Sequence, residues 1–232
     1  MKTLIAFVLF ICFYFFSQAQ SFAVINDKDG FVNVRKDKSI NAAITGQIHN
    51  DDIFGYDSDE KSEWVKIYKE SRDKNALEGY IHKSRIFPLS KFRSLKNIYF
   101  YNDSCVAIND SLTIIIKSSS FNVKKHKLTY DKTYPKELTK IDAHHIWGTD
   151  GNTPKKVIST VNIIKNNTSI IIPKNAFNDL YEPSFRTLKI YAGIENTIYI
   201  EMDNSDGAGA YTIIWIIKTN QYLKRYIDNS VV

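Results

Sequence analysis

Beyond the first twenty residues, apolar and polar positions alternate in short bursts, not at helical spacing. Residues 31–35, 53–56, 64–68 and 79–82 are rich in Val, Ile, Tyr or Trp. Polar clusters divide them: Asp27-Lys28-Asp29-Gly30, Asn50-Asp51-Asp52 and Asp57-Ser58-Asp59. Short strands broken by Asp, Asn and Gly turns predict a small barrel or sandwich. Residues 88–97 read as a linker, because Pro88 cannot donate to a sheet ladder and the following residues are polar apart from Phe92.

A second β-rich region follows. Its expected strands are 98–101, 104–108, 111–117, 121–128, 156–165, 168–172, 186–192, 196–202, 210–217 and 220–227. In Leu188-Lys189-Ile190-Tyr191 and Ile198-Tyr199-Ile200-Glu201-Met202 the period of two implies one buried face. Thr219-Asn220 between two apolar runs predicts a hairpin. One short helix is expected at residues 175–180, between Pro173 and Pro183. The whole reads as all-β: a small barrel over 23–90 and a β-sandwich over 95–232.

The N-terminus sets the compartment. Lys2 precedes an uncharged apolar run over residues 4–16, and Ser17-Gln18-Ala19 offers small residues for cleavage. That is the layout of a signal peptide at 1–19, and the run is shorter than a spanning helix needs. Cys12 is not a lipidation site, because the bulky Phe10-Ile11 precedes it. Residues 213–217 are apolar but only strand-length. The mature chain is therefore expected in the periplasm or outside the cell, with no membrane contact after cleavage.

Export makes the cysteine count informative. Beyond the leader only Cys105 remains, so an internal disulfide is excluded and packing alone must hold the fold. The net charge of +6 suits anionic polymers of the cell envelope. Scattered lysines without a basic helix argue against nucleic acid.

Four phrases occur in an order known from one family. They are Val32-Asn33-Val34-Arg35, the segment Gly46-Gln47-Ile48 leading into Ile53-Phe54-Gly55-Tyr56, Trp64-Val65-Lys66-Ile67, and Gly79-Tyr80-Ile81-His82-Lys83-Ser84-Arg85-Ile86. Together they make residues 23–90 resemble the bacterial SH3 domain, SH3b. Two loops depart from the family pattern: Lys36-Asp37-Lys38 replaces a Gly-Pro, and the loop from 68 to 77 is longer and charged. The resemblance implies a module that binds cell-wall peptidoglycan or a peptide in an aromatic groove. It points to Arg35 as a carboxylate partner and to Tyr56, Trp64 and Tyr80 as aromatic contacts. Trp64 is equally a candidate for the barrel core, and Tyr56 and Tyr80 lean towards the core.

Catalytic chemistry finds little footing. SH3b domains accompany Cys/His peptidases, and Cys105, His126, His144 and His145 are present, but Cys105 falls between strand-like runs, not at a helix start. No Gly-x-Ser-x-Gly occurs. Asp142, His144, His145 and Asp150 match no zinc spacing. Asp203-Asn204-Ser205-Asp206-Gly207 fails the calcium-loop register and reads as a turn between strands. Asp203 and Asp206, beside Tyr211 and Trp215, are the best candidate ligand site of the second region. Gly148-Thr149-Asp150-Gly151, residues 179–183 and residues 206–211 stand out as further turn phrases without an assigned role. The expectation is a non-enzymatic binding protein without cofactor or metal. The alternatives are an exported inhibitor acting on a protein partner, and an envelope hydrolase.

Overall fold

A computed structural model describes residues 21–58, 61–69 and 76–229. The expected signal peptide, residues 59–60 and the charged centre of the 68–77 loop lie outside the described residues. Every regular element described is a strand or a single 3-10 turn, and all strand pairings within the sheets are antiparallel.

The N-terminal unit is one seven-stranded sheet: β1 (Ser21–Val24), β2 (Phe31–Arg35), β3 (Ile44–His49), β4 (Phe54–Tyr56), β5 (Trp64–Lys69), β6 (Leu77–His82) and β7 (Phe87–Pro88), in the order β3-β2-β6-β5-β4-β1-β7. The period of two sorts its side chains. Val32, Val34, Val65, Ile67 and Ile81 face a core with Ile48 and Phe54, while Asn33, Arg35, Trp64, Lys66 and Tyr80 face outward. β2 meets β6 at Arg35 opposite Tyr80. Gly79 makes that approach possible, since a Cβ there would lie 2.5 Å from the Arg35 carbonyl oxygen.

The C-terminal unit begins with β8 (Arg93–Ser94), β9 (Ile98–Phe100), β10 (Ser104–Asn109) and β11 (Leu112–Ser120). A small sheet follows, of β12 (Leu128–Tyr130), β13 (Leu138–Ile141) and β14 (His144–His145). Then come β15 (Lys156–Lys165), β16 (Thr168–Ile170), β17 (Lys189–Ala192), β18 (Thr197–Asn204), β19 (Tyr211–Lys218) and β20 (Gln221–Asp228). Two five-stranded sheets result, β16-β15-β11-β10-β9 and β20-β19-β18-β17-β8. Their facing sides share one core in a sandwich-like arrangement: Cys105, Ile114, Ile116 and Ile163 from the first meet Ile200, Met202, Ile213 and Trp215 from the second.

Several expectations need correction. The sheet containing β18 and β19 is buried on both faces. Its far side, with Tyr191, Tyr199, Ile214 and Ile216, packs on Phe22, Val24, Ile53 and Leu89. Alternation within β18 therefore does not mark a solvent face. Glu201 is buried there, answered by Lys189 Nζ at 2.7 Å. The segment expected to be a linker is packed: Leu89 is buried in that seam, Arg93–Ser94 pairs with β17, and Leu95 enters the sandwich core. The expected helix at 175–180 is one 3-10 turn, Lys174–Ala176. It brings the Ala176 carbonyl to the Trp215 indole N–H at 2.8 Å. Residues 121–128 hold a 3-10 turn, Val123–Lys125, and only the first residue of a strand. The hairpin at Thr219-Asn220 forms, with both φ values positive (49° and 62°), as a tight turn between β19 and β20 requires.

Candidate functional site

The outward face of β2, β5 and β6 builds a groove of about 630 Å³. Trp64 and His82 sit opposite each other on β5 and β6, their rings edge-to-face at 5.4 Å. Phe31, Arg35, the exposed Ile40 and the acidic Asp29 also line it. The loop after β2 folds back so that Arg35 Nη1 donates to the Ala42 carbonyl at 2.9 Å. Fixed by that bond, the guanidinium has no carboxylate partner among the described residues. Its other N–H groups are available for a forked bond to an anion. Arg85, at the groove's end, is held by Asp27 at 2.9 Å.

The sequence-predicted residues divide here. Arg35 and Trp64 share the groove. Tyr80 lies on the same face opposite Arg35, but not in the groove wall, and its ring is covered by Lys38 Nζ at 5.5 Å. Tyr56 is not brought to the groove at all. It pairs with Ser21, packs against the N-terminal core, and burial raises its hydroxyl pKa despite the bond to Ser21. His82, Ile40 and Phe31 were missed. Of these, only His82 lay in a quoted phrase, and its role depends on the cross-strand register with Trp64.

The acidic-loop candidate does not assemble. Asp203 Oδ1 accepts from Thr212 Oγ1 at 2.7 Å, and Lys189 holds Oδ2 at 3.2 Å, so its carboxylate is engaged within the sheet. Asp206 is exposed at the head of the 3-10 turn Gly207–Gly209, where Gly207 has φ 54°. Tyr211 and Trp215 are core residues, 2% and 0% exposed, so they cannot serve as ligand contacts beside that turn. The turn phrases instead meet one another. Tyr211 donates from its hydroxyl to the Tyr181 carbonyl at 3.0 Å, and Ser205 Oγ donates to the Gly148 carbonyl at 2.9 Å. Gly209 lies flat against the backbone of Thr149 and Asp150. Where they meet, a second groove of about 460 Å³ opens between the small β12–β14 sheet and residues 208–210.

The hydrolase constellation is also separated. Cys105 is fully buried on β10, and burial pushes its thiol up to about 12. It neither ionises near neutral pH nor meets solvent. His126 belongs to a different cluster, stacked on Phe121 at 4.7 Å and bonded to Asp142 at 2.7 Å. Among the described residues no group of three or more His, Cys, Asp or Glu side chains is placed to hold a metal ion. No described helix is long and apolar enough to cross a membrane.

No family model, curated protein or solved structure matches the chain.

Proposed function

We propose that the chain is an exported, non-catalytic binding protein whose residues 23–90 act as an SH3b-like module for peptidoglycan stem peptides or a related peptide. The observation that carries this reading is the convergence of Trp64, His82 and Arg35 on one groove, with the guanidinium free of any carboxylate among the described residues. An apolar wall packs a peptide side chain, while a forked cation fixes a carboxylate such as a peptide terminus. Trp64 is partly exposed on the outer face of β5 and is not one of the core residues, so it offers ring edge to the groove.

The test is co-sedimentation of the mature chain with insoluble peptidoglycan at low and high salt. Binding that survives high salt is expected, with Trp64→Ala and Arg35→Ala each reducing the bound fraction about tenfold. Absence of binding, or binding untouched by both substitutions, defeats the reading.

A second reading, an inhibitor acting on a protein partner, is favoured by the sheet edge at β9. Tyr99, Phe100 and Tyr101 are exposed on or beside this edge strand, which among the described residues pairs only with β10. An added partner strand would cover those ladder groups. Cross-linking in native extracts that yields no discrete partner adduct counts against it.

A further inference from the structure

Residues 121–146 form a lobe of their own on the C-terminal unit. Leu138, Ile141 and Ile146 pack with Phe121, Leu128, Val157 and Tyr181 into a core separate from the sandwich. Leu128 and Ile141 face that core as cross-strand partners. The opposite face of the small sheet therefore presents Thr129, Lys140 and His145 in a row.

Charge on this lobe is unbalanced. Lys124, Lys125, Lys127, Lys132, Lys136 and Lys140 are all exposed, and none forms an ion pair among the described residues. Three carboxylates stand against them, and two are committed elsewhere. Asp142 accepts from the Lys127 backbone N–H at 2.8 Å and bonds His126. Asp131 Oδ1 accepts from the backbone N–H groups of Thr133 and Tyr134 at 2.7 and 2.9 Å. Two tyrosines, Tyr130 and Tyr134, lie exposed among the lysines, 43% and 66% accessible.

The row of Thr129, Lys140 and His145 runs into the second groove, with Lys140 as its lysine. Lys140 and His145 form one wall, with His145 set edge-on to Trp147 at 4.4 Å. Deeper in, the buried Thr149 hydroxyl has no hydrogen-bond partner among the described residues, a group that a ligand hydroxyl can satisfy. Glu137 and Asp150 line the same groove.

We infer that this lobe is a second binding surface, independent of the Trp64 groove, and that its ligand is an acidic polysaccharide. Spaced lysines act as point charges suited to acid groups repeating along a chain. The exposed tyrosines and the exposed His145 ring, backed by the buried Trp147, offer flat faces to sugar rings. Thr149, Glu137 and Asp150 meet sugar hydroxyls, so the acid groups lie on the Lys140 side. Nucleic acid is the poorer fit. The sequence has no arginine from residue 94 to residue 185, so the forked donors that read phosphates and guanine are missing from the lobe.

The experiment measures binding of the mature chain to polygalacturonate, to neutral dextran and to a single-stranded oligonucleotide. The expected result is polygalacturonate binding that weakens with salt, and no dextran binding. The triple substitution Lys124→Glu, Lys125→Glu, Lys140→Glu is expected to weaken it about tenfold or more. An equal change of net charge at the exposed Lys91, Lys96 and Lys174 is expected to weaken it less than about threefold. All six positions are on the surface, and an unchanged melting temperature shows that each variant is folded. Thr149→Val and Tyr134→Ala are expected to weaken binding more modestly, and Trp64→Ala to leave it intact. No binding, an equal loss from the control triple, loss in Trp64→Ala, or oligonucleotide binding as tight and as sensitive to the lobe triple each overturns the proposal.

Discussion

The N-terminal sheet and the β17–β20 sheet are built from similar residues and used in opposite ways. Along β5, Val65 and Ile67 are buried while Trp64, Lys66 and Tyr68 reach the outer face. Along β19, all of Tyr211, Thr212, Ile213, Ile214, Trp215, Ile216 and Ile217 are buried. Over β2, β5 and β6 the first sheet spends one face on its core and keeps the other for a groove, while β1 is covered on both faces. The second spends one face on the sandwich and the other on the N-terminal unit, so its Trp and Tyr are structural. An aromatic residue's role here follows from how many faces of its strand are covered, and not from the residue type.

The largest expected effect breaks the doubly buried sheet. Arg225 on β20 makes a forked pair with the buried Asp179, at 2.5 and 2.6 Å. Arg225→Ala leaves that carboxylate buried without its cation and is expected to cost about 3–5 kcal/mol, measured by denaturant unfolding. A loss below about 1 kcal/mol would show that water reaches Asp179 readily.

Leu89 tests whether the two units share a core. It is 1% exposed among Tyr191, Tyr199, Ile214 and Ile216. Leu89→Ala is expected to cost about 2–5 kcal/mol and to lower one common transition. If only one of two separable transitions moves, the units unfold independently and the seam is a weak contact.

The smallest effect concerns charge at the same seam. Asp51 meets Lys218 at 2.8 Å, and Asp52 meets Lys224 at 2.9 Å and Lys69 at 2.6 Å. Burial alone would raise the Asp52 carboxyl pKa. Bonds from Lys69, Lys224 and the His49 N–H outweigh burial and hold it below the ordinary value of 3.8. A lowered acid contributes stability that is complete above its unfolded value and is lost as pH falls through the folded one. The gap in melting temperature between the native chain and Asp52→Asn is therefore expected to close on acidification below pH 3.8. A gap constant down to pH 2, roughly the floor for a bonded carboxylate, would remove Asp52 from the seam's energetics.

Much of this contrast was legible wherever one face meets solvent. Val32 and Val34 announce β2, and Thr219-Asn220 announces the last hairpin. The second buried face was not legible, because Tyr199 and Glu201 look like outward residues until Phe22 and Leu89, far away in sequence, are packed on them. The β12–β14 lobe was hidden for a related reason. Its strands are two to four residues long. Its core is completed by Phe121 and Tyr181, from outside the hairpin. Of the first groove, Arg35 and Trp64 were readable from their phrases, whereas Tyr56 needed its partner Ser21 to be recognised as packing.

The burial of Cys105 has a practical side. It is the only cysteine in residues 21–229, it lies wholly inside the sandwich, and its thiol holds its proton at neutral pH. An alkylating reagent therefore reacts only with molecules whose sandwich has opened. Modification at Cys105 records one such event, so residues 21–229 carry their own gauge of how often the two sheets part, with no label added.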